Sequence, residues 1–150
     1  MAWLPSIRDK LGAFARLPGH DRLLLIRAWS LLFGVTIRLR LRSLNGIWAD
    51  CVRRATRHGR PEGDVPPEEL ERVAWLVNVA SRYHPLRPTC LTRTLSVAWL
   101  LAGRGVPTQL QIGIRRDARG LAAHAWLAYG GCPITPVPED EEYHPLEPAG

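Results

Sequence analysis

The chain has 150 residues, 46% of them hydrophobic and 23% charged, which excludes wholesale disorder and suffices for one domain with a core that needs no staples. Twenty basic side chains against fourteen acidic ones leave a net charge of +6 and a pI near 10.0. All but Lys10 of the twenty are arginine, a skew that genome composition produces as readily as selection for binding does.

The first ten residues, Met1 to Lys10, carry their charges after the apolar side chains, the reverse of a secretory leader. From Pro18 to about Leu44 the spacing predicts a helix, with Asp21 as its cap and Leu24, Ala28, Leu31, Leu32 and Val35 recurring at helical period. This helix is apolar around much of its circumference, so it belongs either at the centre of the core or against a partner. Its longest apolar run, Leu23 to Ile37, is broken by Arg27 and Ser30 and is shorter than the ~20 residues a bilayer requires. Three cysteines, an odd number, do not form a secreted disulfide framework. The expected compartment is a reducing cytoplasm, with no transmembrane segment.

A second helix is predicted from Leu44 to Arg57, carrying Ile47, Trp48, Cys51 and Val52, followed by a polar loop to Asp64. A third opens at Pro66-Pro67-Glu68-Glu69, with proline in the first turn and acids at the positive end. It presents Leu70, Val73, Ala74, Val77 and Ala80 on one face and ends before Pro85. A fourth runs from Cys90 to Ala102 and is closed by Gly103 and Gly105. Strands follow over Thr108–Ile114, Leu121–Tyr129 and Cys132–Thr135, the last two joined by a Gly130-Gly131 hairpin. Residues 115–120 read as a turn. The tail holds four consecutive acids, Glu139 to Glu142. The fold class is α+β, a single domain over 1–150 with a helical part to residue 85 and a catalytic helix feeding a small antiparallel sheet after it.

Thr89 is positioned as an N-cap and Pro88 bars helix upstream, so Cys90 falls at the first helical position. There, unpaired backbone N–H groups and the helix dipole favour the thiolate, the form that attacks carbonyls. The same N–H groups can hold the oxyanion of a tetrahedral intermediate. The base expected for it is His124, central in the second strand between the small Ala123 and Ala125, with Trp126 on the same strand face to exclude water. Cysteine is also among the most buried residue types, and Cys51 and Cys132 read simply as small apolar side chains. No Cys-x-x-Cys or His-x-x-x-His spacing suggests a metal, and no cofactor is implied.

Taken together, Cys90-Leu91-Thr-Arg93-Thr-Leu-Ser, Leu100-Leu-Ala-Gly-Arg-Gly105-Val-Pro-Thr, Ile112-Gly113-Ile-Arg115 and His124-Ala-Trp126 resemble the lasso peptide leader peptidases. The likeness runs from Cys90 to about Ile134, and the Arg-Leu-Pro-Gly stretch and Leu/Arg-rich helix also suit that family's N-terminal helices. The resemblance implies N-terminal helices packed on a papain- and transglutaminase-like core, with Cys90 as nucleophile and His124 as its base. It implies a cysteine endopeptidase that removes the leader from a ribosomally made precursor, alongside a separate leader-recognition protein and a lasso cyclase. Two departures stand out. The family's acid lies about a dozen residues after the histidine, where this chain has Thr135-Pro136, and the family's Glu after His-Ala-Trp is replaced at Ala128. Glu139 or Asp140 folding back, a weak contribution from Thr135, or a Cys–His dyad are the three ways the site can be completed.

Arg93, nearly one turn beyond Cys90, is placed either to steer a substrate or to pair with Glu139–Glu142. His84, six residues before Cys90, is either an oxyanion donor or an exposed loop side chain. Arg38, Arg40, Arg42, Arg53, Arg54 and Arg57 lie on two helices and a loop with no aromatic stacking platform among them, which argues against nucleic acid. They suit a solvated face or a surface for an acidic leader or partner protein. The rival functions are a transglutaminase-like acyl transferase and a non-catalytic scaffold of a peptide-maturation complex.

Overall fold

Five helices precede an antiparallel sheet in a computed structural model that describes residues 7–61, 63–118, 120–136 and 144–145. The helices are α1 (Ile7–Arg16), α2 (Gly19–Leu41), α3 (Leu44–His58), α4 (Pro67–Arg82) and α5 (Cys90–Ala102). The strands are β1 (Gln109–Asp117), β2 (Gly120–Tyr129), β3 (Cys132–Pro133) and β4 (His144–Pro145), in the order β3-β2-β1-β4. No helix among the described residues is long and apolar enough to cross a membrane.

The helix boundaries follow from caps and apolar period. Ser43 caps α3 by accepting from Gly46 N, and Pro67 occupies the first turn of α4 with Glu68 and Glu69 at its positive end. Buried side chains recur along α2 (Leu24, Ala28, Leu32, Val35), α4 (Leu70, Val73, Leu76, Val77, Ala80) and α5 (Leu95, Ala98, Leu101, Ala102). Most of them join Cys51 from α3 and Leu127 and Tyr129 from β2 in the main core, while Val35 and Leu95 form a second cluster with Ile47 of α3. On α4 Leu76 is fully buried alongside Val73 and Val77, whereas Ala74 only packs against the core's edge. The other circumference of α2 stays exposed at Leu23, Ile26, Trp29, Phe33, Ile37 and Leu41, so this helix is at once central and outward-facing.

Several expectations need correction. Residues 7–16 form a helix where none was expected, and Arg115–Asp117 continue β1 rather than turning, because Asp117 pairs directly with Gly120. Beyond Gly130 and Gly131, whose φ values of 55° and 81° suit the tight hairpin, the third strand ends at Pro133. Cys132 lies exposed on that edge rather than in the core.

Asp21 is not a cap. Pro18 takes that position with no side-chain bond, and Asp21 sits within the first turn of α2 with 0% of its surface exposed. Its carboxylate accepts from Arg72 on α4 through both oxygens, Nε at 3.2 Å and Nη2 at the other, and His20 Nε2 lies 3.3 Å away. The bonded guanidinium outweighs desolvation and holds the Asp21 carboxyl below the ordinary value of 3.8. Because the folded value is depressed, the stability it supplies is present at neutral pH and is lost as pH falls through that lowered value. In urea unfolding, Asp21→Asn is therefore expected to be clearly weaker than the wild type at neutral pH, and the gap is expected to close in buffers well below pH 3.8. A gap that stays constant across this range assigns the loss to packing rather than to the ion pair.

Candidate functional site

Residues Tyr83 to Thr89 connect α4 to α5, and the geometry of the last three determines where α5 begins. Arg87 takes a left-handed φ of 46°, unusual for a side chain with a Cβ, and Pro88 follows it. Thr89 is extended, and its hydroxyl accepts from Thr92 N at 3.2 Å while its carbonyl accepts from Arg93 N at 3.0 Å. Cys90 is consequently the first residue of α5, as its neighbours predict, and is half-buried. Two of the four first-turn donors are thereby taken, and the N–H groups of Cys90 and Leu91 remain for a ligand.

The opposing wall comes from β2. A buried bond from Thr94 Oγ1 to the Ala125 carbonyl, 3.0 Å, locks the strand to α5 one residue from His124 and about one turn from Cys90. Cys90 and His124 then line the same small cleft, about 80 Å³, together with Arg93, Asn78 of α4, Thr135 and Pro136.

The imidazole is held by the backbone. His124 Nε2 lies 3.0 Å from the carbonyl oxygen of Pro136. A carbonyl only accepts, so this contact requires the proton on Nε2 and puts the lone pair of the neutral ring on Nδ1. Pro136 is twelve residues after His124, where the resemblance leads one to look for an acid; here the main chain supplies the acceptor. The Thr135 hydroxyl, weighed as a weak orienter, accepts from Leu127 N at 2.8 Å. That bond and Ile134 N to Leu127 O, 2.7 Å, run the segment along β2 and deliver the Pro136 carbonyl to the imidazole. Glu139 and Asp140 lie outside the described residues, as does the acidic run weighed as a partner for Arg93.

Arg93 lines the cleft, and its Nη1 donates to Asn78 Oδ1 at 3.4 Å. Trp126 stacks on His124, ring centroids 6.2 Å apart at 17°, but is not among the cleft's walls. His84 is neither exposed nor at the cleft. It is buried with 4% of its surface exposed, 5.1 Å from the Trp29 ring and 5.6 Å from Phe33, with Nδ1 accepting from Leu86 N. Its proximity in sequence to Cys90 misleads because the connecting turn directs it to the aromatic side chains of α2. Asn78 was not singled out by sequence; the available signal is a lone amide beside the apolar stripe Val73, Ala74 and Val77.

Among the described residues, no group of three or more His, Cys, Asp or Glu side chains is placed to hold a metal. No curated protein and no solved structure matches this chain. The family profile described as Transglutaminase-like superfamily does match, over residues 31–147, from within α2 through the whole of the Cys90–His124 cleft to the last strand. The chain thus belongs to the Transglutaminase-like superfamily.

Proposed function

We propose that this chain is a cysteine endopeptidase of the Cys–His type, and that its substrate is the leader-bearing precursor of a lasso peptide. The observation that carries the chemistry is the shared cleft: a helix-initiating thiol and an imidazole whose Nε2 is engaged by the Pro136 carbonyl. In the proposed cycle His124 Nδ1 takes the Cys90 proton, and the sulfur adds to the scissile carbonyl carbon. The Cys90 and Leu91 N–H groups receive the oxyanion. Collapse breaks the C–N bond as the imidazolium returns the proton to the leaving amine. Water, deprotonated by the same ring, then releases the acyl group from sulfur.

The choice of substrate rests on the run of residues that resembles the leader peptidases, and superfamily membership supports thiol acyl-transfer chemistry more generally. In this reading a separate protein presents the leader, and Arg93, beside the nucleophile, contacts the bound peptide. Transfer of the acyl group to an amine instead of water is the second reading, favoured by the family to which the chain belongs. Mass analysis of products separates the two, since hydrolysis leaves a free carboxylate on the leader.

With purified precursor and recognition protein, Cys90→Ala is expected to abolish leader removal and His124→Asn to lower its rate by about 10²–10⁴-fold. The thiol itself offers a check without substrate. Iodoacetamide is expected to modify Cys90 faster than the exposed Cys132, and His124→Asn is expected to erase that advantage. Cys51 stays unreacted until the chain unfolds, because burial pushes its thiol up to about 11. Equal reactivity of Cys90 and Cys132 would identify the chain as a scaffold.

The orienting role assigned to the Pro136 carbonyl has its own test. The double variant Glu139→Gln/Asp140→Asn is expected to retain leader cleavage to within roughly ten-fold, whereas loss of a true triad acid costs about 10⁴. A loss of the larger size moves the orienting role to one of those carboxylates.

A further inference from the structure

We infer that the groove between α2 and α5, remote from the nucleophile's end of α5, binds an acidic amphipathic helix of a partner protein. The groove encloses about 640 Å³ and is bordered by Arg27 and Arg38 of α2, Arg54 of α3 and Arg104 just beyond α5. Among the described residues no carboxylate lines it. Arg104 shares Glu69, at 3.3 Å, but Arg27, Arg38 and Arg54 have no carboxylate partner among the described residues, and the Arg54 Nε is buried without a hydrogen bond.

Two glycines point to an occupant. Gly34 stands in the middle of α2, where glycine is less favourable than alanine. A Cβ at Gly34 would meet nothing within 4 Å, so packing inside the chain does not require this residue. It lies on the groove wall, where a missing side chain admits a second backbone. Gly103 has the opposite constraint: a Cβ there would come within 2.8 Å of Arg54 Nη2, so glycine lets that guanidinium lie against the end of α5.

The shape of the charge indicates the ligand. Arg27, Leu31, Gly34 and Arg38 share one face of α2, and the eleven steps from Arg27 to Arg38 cover about 16 Å, three turns of a docked helix. Between the cations the floor is aliphatic at Leu31, Val35 and Leu100, and Ile26 on the lip is 54% exposed. Carboxylates at the rim and apolar side chains on the floor satisfy both. Contrary to the sequence expectation, an aromatic ring does lie among these arginines, Trp99 of α5. Arg38 and Arg54 already cover it, at 5.2 and 5.0 Å, so it offers no open stacking surface for a base. The cleft takes Cys90, Arg93 and Val97 from α5, and the groove takes Trp99, Leu100 and Gly103, so the two sites are separable.

The probe is a fluorescein-labelled helical peptide of Leu and Glu, about sixteen residues or about 24 Å long so that it spans the groove with more than a turn to spare, titrated with the full chain at physiological ionic strength and read by anisotropy. Saturable binding is expected. Arg27→Glu/Arg38→Glu is expected to weaken it by about ten-fold or more. The charge-matched pair Arg82→Glu/Arg116→Glu, away from the groove, is expected to change it by less than about two-fold. Gly34→Leu is expected to abolish binding while preserving or raising the thermal midpoint, and Cys90 alkylation is expected to stay unchanged in every variant, which shows that the fold and cleft persist. The proposal is overturned by absence of saturable binding, by equal losses in the two charge pairs, or by undiminished binding to Gly34→Leu. Equal binding of a Glu/Ala peptide without leucine, or displacement by equimolar single-stranded oligonucleotide, overturns it as well.

Discussion

One buried hydrogen bond, from the Thr94 hydroxyl to the Ala125 carbonyl, sets the relation between the two halves of the site. Cys90 belongs to a helix and His124 to a strand that the chain reaches only after another strand and a turn. Apolar packing brings these elements together but resists sliding weakly. A directional bond with both partners out of water resists it better, since breaking it strands a buried donor and acceptor at about 1–3 kcal/mol. Thr94 is itself fixed by α5, and α5 by Thr89, so the position of the imidazole relative to the sulfur traces back to a cap and a threonine.

The segment after β3 adds a second constraint. Thr135 and Ile134 bond to Leu127, and this brings the Pro136 carbonyl to His124 Nε2. A carbonyl and a carboxylate both select the tautomer, but the carbonyl brings only a partial charge and stabilises an imidazolium less. A proline at this position loses no side-chain function, because the interacting atom belongs to the main chain. The Pro136 carbonyl thus gives the ring one oriented contact that needs no side chain at this position.

The start of α5 was legible because three local signals agree there: a proline that forbids helix, a threonine that caps, and apolar residues at helical spacing thereafter. The same agreement made α3 and α4 readable. Asp21 was misread because a short acid near a helix start has two uses, and only the fold reveals Arg72 fifty-one residues away. His84 and Cys132 exchanged environments for a related reason: a loop histidine found aromatic partners on α2, while a cysteine after a hairpin fell on a sheet edge. The contact of the Pro136 carbonyl with His124 lay beyond any reading of side chains, since the direction of a main-chain carbonyl is set by the fold and not by the residue that carries it. Asn78 sat one position from an apolar stripe and gained meaning only when Arg93 came opposite it.

Arginine excess illustrates the limit of composition most sharply. A net charge of +6 predicts attraction to anions without saying where, and a mutational habit of the genome produces the same count. Packing converts part of that count into a place. Arg38 comes from α2 and Arg54 from α3, and both meet over a tryptophan of α5. The glycine at 103 gives way to one of them, and the glycine at 34 leaves the wall open beside the other. A codon bias can place arginine on a surface, but it has no reason to clear space for it. At Gly103 and Gly34 the chain leaves room beside two of its arginines, at the end of α5 opposite Cys90.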